Sequence, residues 1–150
     1  MSQSIFEITA ARLIGQRLSH IWKGYGSALF LEFGNLAENE KRKDGSLKNP
    51  WGEVGVALGM SWRICGKQSI ICGCDDDEPD WEKGFSMIRH QPVSGISLLG
   101  KLSEIQIDFE NGASCNSFTT FRGQPDWAIF NRSTDAHVTV HSRLGRIEVE

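Results

Sequence analysis

The chain has 150 residues, 39% of them hydrophobic and 23% charged, with a formal net charge of −3 and a pI near 5.8. A domain of this length buries about 68–70% of the surface its unfolded chain exposes, so a core forms without crosslinks. The 16 Lys and Arg are spread along the chain among 19 Asp and Glu, which argues against the concentrated basic face that nucleic-acid binding requires.

Met1 to Glu7 contains no basic segment followed by an apolar run, so it does not read as a secretion signal. No stretch approaches the roughly 20 apolar residues of a membrane-spanning helix. A cytoplasmic location follows as the expectation, with Cys65, Cys72, Cys74 and Cys115 as reduced thiols. Ser4 and Glu7 have the spacing of a capping box, in which a hydroxyl and a carboxylate satisfy each other's backbone amides. A helix from Ile5 to Ile14 would then bury Phe6, Ala10, Leu13 and Ile14 on one face. From Leu18 the period shortens. The runs Leu18–Lys23 and Ala28–Phe33, interrupted by Tyr25-Gly26-Ser27, predict a hairpin. Glu38 to Pro50 carries seven charged residues and too little apolar surface to order itself, which predicts an exposed loop. Its Lys41-Arg42-Lys43 core is flanked by Glu38, Glu40 and Asp44 and reads as solvated.

Strand signals resume at Val54 and at Trp62-Arg63-Ile64, and Gly66-Lys67-Gln68 turns the chain into Ser69–Cys72. Acidic residues at Asp75, Asp76, Asp77, Glu78 and Asp80 surround Pro79 and suit the start of a helix, where carboxylates complement the local dipole and Pro lacks an amide to satisfy. That helix, Pro79 to Arg89, places Trp81, Phe85 and Ile88 on one side, and Pro92 limits it. Glu104–Phe109 alternates polar and apolar residues before Glu110-Asn111-Gly112. With Gly112 left-handed, Phe109 faces Ala113, Ile107 faces Cys115 and Ile105 faces Ser117, making Cys115 a core thiol. Further strands are expected at Trp127–Phe130, His137–His141 and Arg146–Val149.

These elements define an α+β class, mainly antiparallel β-sheet with two short helices, in one domain over 1–150. Leu13-Ile14-Gly15-Gln16-Arg17-Leu18 matches Leu98-Leu99-Gly100-Lys101-Leu102 with one residue of slippage, and a helix precedes and a hairpin follows in both places. The match suggests two related helix-plus-hairpin halves, 4–74 and 79–150. The Leu-x-Gly-x-x-Leu entry, Trp51-Gly52-Glu53, Trp62-Arg63-Ile64, Ile107-Asp108-Phe109 and Trp127-Ala128-Ile129 resemble small bacterial domains of unknown function. Some such domains are immunity proteins that bind and neutralise a toxin. The resemblance implies a protein partner and supplies no catalytic residue to carry over.

The candidate chemistry is sparse. Cys72-Gly73-Cys74 supplies one thiol pair, where structural zinc usually needs two paired clusters. His137 and His141 are four apart in a β-branched stretch, about 13 Å along a strand and too far for one metal ion. The acidic run lacks the Gly and closing Glu of a calcium loop. The glycines in and beside strands form no phosphate cradle before a helix. No cofactor or metal is therefore expected. Trp62 and Trp81 read as core. Trp51, between Pro50 and Gly52, reads as a surface anchor. The leading expectation is a non-enzymatic protein-binding module whose partner is basic, with Asp75, Asp76, Asp77, Glu78, Asp80 and Trp51 as contact residues. The alternative is a small enzyme or ligand-binding domain using groove residues His137, His141 and Cys115, with His90 or His137 as the base of a nucleophilic thiol. A structural domain in an assembly is the third reading.

Overall fold

The computed structural model describes residues 2–37, 41–120, 122, 126–134, 138–143 and 146–149. In chain order the elements are α1 (Ser2–Ala11), β1 (Leu18–Lys23), β2 (Leu29–Phe33), β3 (Val54–Ala57), β4 (Trp62–Cys65), β5 (Ile70–Gly73), α2 (Glu78–Ile88), β6 (Val93–Leu99), β7 (Glu104–Phe109), β8 (Ser114–Ser117), β9 (Ala128–Asn131), β10 (Val138–Arg143) and β11 (Arg146–Val149). They form an α+β, mainly β fold with two antiparallel sheets. One is six-stranded in the order β1-β2-β3-β9-β10-β11, the other five-stranded in the order β5-β4-β8-β7-β6.

The alternation read around Gly112 is realised in full. Ile107 pairs with Cys115 and Asp108 with Ser114, Phe109 donates its amide to the Ala113 carbonyl at 2.9 Å, and Gly112 sits at φ 88°. A positive φ at this position is cheap only for glycine, so the turn locks the register. The hairpin of β1 and β2 forms around a turn closed by Ala28 donating to the Tyr25 carbonyl.

Four expectations are corrected. The first helix begins at Ser2, so Ser4 and Glu7 lie within it and cannot act as a capping box. It ends at Ala11; Leu13 is still buried, but Ile14 is half exposed, because the chain there has already turned to bridge Val93. The second helix starts at Glu78 after an extended Asp77, which makes Pro79 its second residue. Finally, Leu98-Leu99 is the end of a seven-residue strand rather than a helix-to-hairpin junction. Gly15 precedes β1 whereas Gly100 follows β6, so the two glycines matched in sequence occupy different places. The expected strand start at His137 lies outside the described residues.

The element order carries a different correspondence. Replacing β1, β2, β3, β4 and β5 by β6, β7, β8, β9 and β10, and the converse, turns β1-β2-β3-β9-β10 into β6-β7-β8-β4-β5, the order of the other sheet. β11 has no counterpart. Hydrogen bonds follow the same exchange. Leu18 donates to the Gln91 carbonyl and Val93 to the Gln16 carbonyl; Gly15 donates to the Val93 carbonyl and His90 to the Leu18 carbonyl. Gly15 and His90, 75 positions apart, both have positive φ. β1 and β6 each carry a register shift against their neighbour just after their first residue.

The core repeats the pattern. Trp62 opens β4 and donates its indole N–H to the Ser27 carbonyl at 2.6 Å; Trp127, just before β9, donates to the Ser103 carbonyl at 2.7 Å. Each indole meets a helical aromatic edge-on, Trp81 at 5.0 Å and Phe6 at 5.6 Å respectively. Buried Trp N–H groups need a partner, and here both find a turn carbonyl. Helix α1 lies on β10 and β11, α2 on β5 and β4, and one hydrophobic cluster unites residues of both sheets and both helices.

Candidate functional site

Register separates the two faces of each sheet. On the six-stranded sheet, Leu29, Leu31, Phe33, Val54, Val56, Ile129 and Val140 belong to the buried cluster. The opposite, outer face carries one row of paired residues His20, Glu32, Gly55, Phe130 and Thr139, and a second row Trp22, Phe30, Ala57, Ala128, His141 and Glu148. This face is aromatic: the Trp22 and Phe30 rings stack at 4.1 Å.

Its centre is a carboxylate. Glu32 is 1% exposed although it points away from the core. It accepts from the Arg132 guanidinium at 2.6 Å, the Gly52 amide at 3.0 Å and the Trp22 indole N–H at 3.5 Å. A charge withdrawn from water this far is stable only when paired and hydrogen-bonded, and the three donors meet that need. Arg132 also donates to the Gly52 carbonyl at 3.2 Å and lies against the faces of two rings, 5.1 Å from the Trp51 centroid and 5.7 Å from that of Phe130. Gly52 runs so close to β2 that a Cβ there would collide with the Phe33 backbone. Only glycine lets the loop descend to the sheet at this point, and the descent lifts Trp51 above it.

Trp51 is consequently 56% exposed yet fixed from below by a guanidinium, a cation–π arrangement. Two open depressions flank it. One, of about 290 Å³, is lined by Trp51, Phe130, Asn131, Arg132, Val138 and Thr139; the other, of about 390 Å³, lies toward Leu36 and Glu53. Trp51 was legible in sequence as an exposed aromatic. Glu32 and Arg132 were not, because nothing in a strand pattern reveals that a carboxylate will meet a cation 100 residues away.

The acidic run lies elsewhere. Trp51 sits beside the Leu18–Phe33–Val54 end of its sheet, whereas Glu78 bonds Lys23 at 3.0 Å at the opposite end of β1, about 17 Å away along the strand. Its carboxylates are partly engaged. Asp76 accepts the Gly73 amide at 2.8 Å and Asp80 pairs with Lys83 at 3.4 Å. The sequence-predicted contact residues thus form two separate patches.

Among the described residues, the groups of the enzymatic alternative do not converge. Cys115 is fully buried in β8 of the five-stranded sheet, and burial pushes its thiol far above the usual range. His141 lies in β10 of the other sheet, bonded to Glu148 at 3.2 Å. His137 lies outside the described residues, and His90 follows α2, its amide on the Leu18 carbonyl. Cys72 is buried under Gly84 of α2, and its thiol is pushed up to about 11, chiefly by desolvation. Cys65 and Cys74 are half-buried and unbridged. Among the described residues, no three His, Cys, Asp or Glu side chains gather as a metal site would require, and no helix is long and apolar enough to cross a membrane. Comparison with protein-family models, curated proteins and solved structures gives no match.

Proposed function

We propose that the chain is a non-enzymatic protein-binding module, in its sharpest form an immunity-like neutraliser of a toxin, and that it binds through the outer face of the six-stranded sheet around Trp51. The observation that carries this reading is the braced, half-exposed indole. A large aromatic already immobilised before contact loses little freedom on binding, and such residues dominate interface energies. The rigid Glu32–Arg132 pair below it and the two depressions beside it supply an anchor and places for a partner's side chains.

The acidic run has the secondary role of steering. With Asp76, Glu78 and Asp80 occupied in local contacts, its contribution is a long-range field that draws a basic partner and raises the association rate. The raised thiol of Cys115 and its placement on the sheet opposite His141 favour binding over nucleophilic chemistry.

The test is a pull-down from the native host with the full chain as bait, followed by affinity measurement on the isolated pair. Trp51→Ala is expected to weaken the complex by about 30-fold, the scale of a hot-spot aromatic. Charge reversal at Asp75, Asp76 and Asp77 is expected to slow association and leave dissociation unchanged. An affinity unmoved by Trp51→Ala removes this face from the reading.

A further inference from the structure

We propose that the seam between the two halves of the chain is a self-recognition surface, able to join the N-terminal half of one copy to the C-terminal half of a second copy. This inference is independent of the binding reading and rests on the exchanged strands.

Neither half completes its own sheet. The N-terminal half builds β1-β2-β3 of the six-stranded sheet and sends β4 and β5 into the other; the C-terminal half builds β6-β7-β8 and sends β9, β10 and β11 back. Each helix rests on strands from the opposite half, α1 on β10 and β11, α2 on β4 and β5. The aromatic contacts obey the same rule, Phe6 meeting Trp127 and Trp81 meeting Trp62. An isolated half would therefore expose the apolar side of its helix and an unpaired strand edge on β3 or β8, both strongly unfavourable in water.

The seam itself has two-fold character. Four reciprocal backbone bonds among Gly15, Gln16, Leu18, His90, Gln91 and Val93 join the halves. The β3–β9 and β4–β8 ladders each pair residues of different halves. Exchange of an identical element between copies is a low-cost route to a dimer, because each contact re-forms unchanged. Covalently, the halves meet through the short link 74–77 between β5 and α2, exposed at Asp75, Asp76 and Asp77. That link makes the pairing intramolecular by holding the partner half at high effective concentration. Nothing in the pairing requires both halves to come from one chain.

Two full-length variants test the proposal. Trp62→Asp disables the N-terminal half's donated strand and Trp127→Asp marks the C-terminal half's. Produced separately, each is expected to be unfolded; co-expressed with different tags, they are expected to co-purify as a one-to-one complex with twice the mass of a single chain. A second variant of the full chain, lacking Asp75, Asp76 and Asp77, leaves the link too short and is expected to be a folded dimer by light scattering. The proposal is overturned if that deletion gives a folded monomer. It is equally overturned if the deletion fails to fold and the co-expressed pair yields no complex.

Discussion

The two sheets share an order and a core, but their outer faces differ. Across the six-stranded sheet the paired residues are Trp22, Phe30, Ala57, Ala128 and His141; the corresponding row of the five-stranded sheet reads Ser97, Gln106, Asn116, Arg63 and Gly73. The next row contrasts Glu32, Gly55 and Phe130 with Asp108, Ser114 and Cys65. Between β2 and β3 the chain runs through 34–53, whereas a tight turn joins β7 to β8. What the faces have in common serves folding, namely the alternation that sends every second residue into the core. Where they differ, one face has acquired a long loop, an exposed indole and a buried ion pair that the other folds without.

Substitutions can break this comparison or sharpen it. The largest effect belongs to the shared part: Trp62→Ala and Trp127→Ala each remove a buried indole and are expected to cost about 3–5 kcal/mol in denaturant unfolding. Equal costs would confirm that the two positions do the same work. A cost confined to one sheet would end the equivalence. Next comes Glu32→Gln, which leaves Arg132 without its carboxylate and is expected to cost about 3 kcal/mol. At the matching place on the other face, Asp108 accepts from the Gln106 side-chain amide at 2.9 Å, and Asp108→Asn is expected to cost about 0.5 kcal/mol. If both cost the same, the ion pair has no special standing.

The thiols give a smaller, pH-dependent contrast. Cys72 and Cys115 both flank Ile64 from neighbouring strands and both have raised pKa values. Because a thiol raised in the folded state stays protonated while the unfolded chain ionises, its stabilising effect is complete below the unfolded value. It is lost as the pH climbs. For Cys72 the loss runs from pH 9.0 to about 11. Melting temperature is accordingly expected to fall through that window, and less so in Cys72→Ser once its own lower baseline is subtracted. Near neutral pH, alkylation followed by mass spectrometry should label Cys65 and Cys74 in the folded chain and all four cysteines after denaturation. Rapid native labelling of Cys115 would show that its burial is not maintained.

Trp51→Ala should have the smallest effect on stability, within about 0.5 kcal/mol, because its side chain covers surface groups rather than core. Paired with a large loss of partner affinity, that result would separate the indole's binding role from any folding role. A destabilisation approaching that of Trp62→Ala would instead place the indole in the folding framework.

Legibility in the sequence tracks how local the cause is. The β7–β8 register followed from alternation and one glycine, all within 14 residues of chain from Glu104 to Ser117. The second helix was legible from its apolar stripe and acidic start, to within one residue at each end. Strand β6 was not, because its register shift between Val93 and Gly95 interrupts the alternation and it lies at the edge of its sheet. At the candidate site, Trp51 stood out because an aromatic between Pro50 and Gly52 has nowhere nearby to hide. Its support came from positions that sequence order keeps far apart.

By itself, then, the chain's alternation, turn glycines and helix stripes determined most of the extended segments, β6 excepted, and both helices with their apolar sides, since these depend on neighbours a few residues away. Tertiary structure alone decided that β4 and β9 leave the sheets their predecessors build, and that Glu32 meets Arg132 beneath Trp51. Both depend on which distant edge is left unpaired and which distant charge is left unsatisfied, quantities that exist only once the chain has closed on itself.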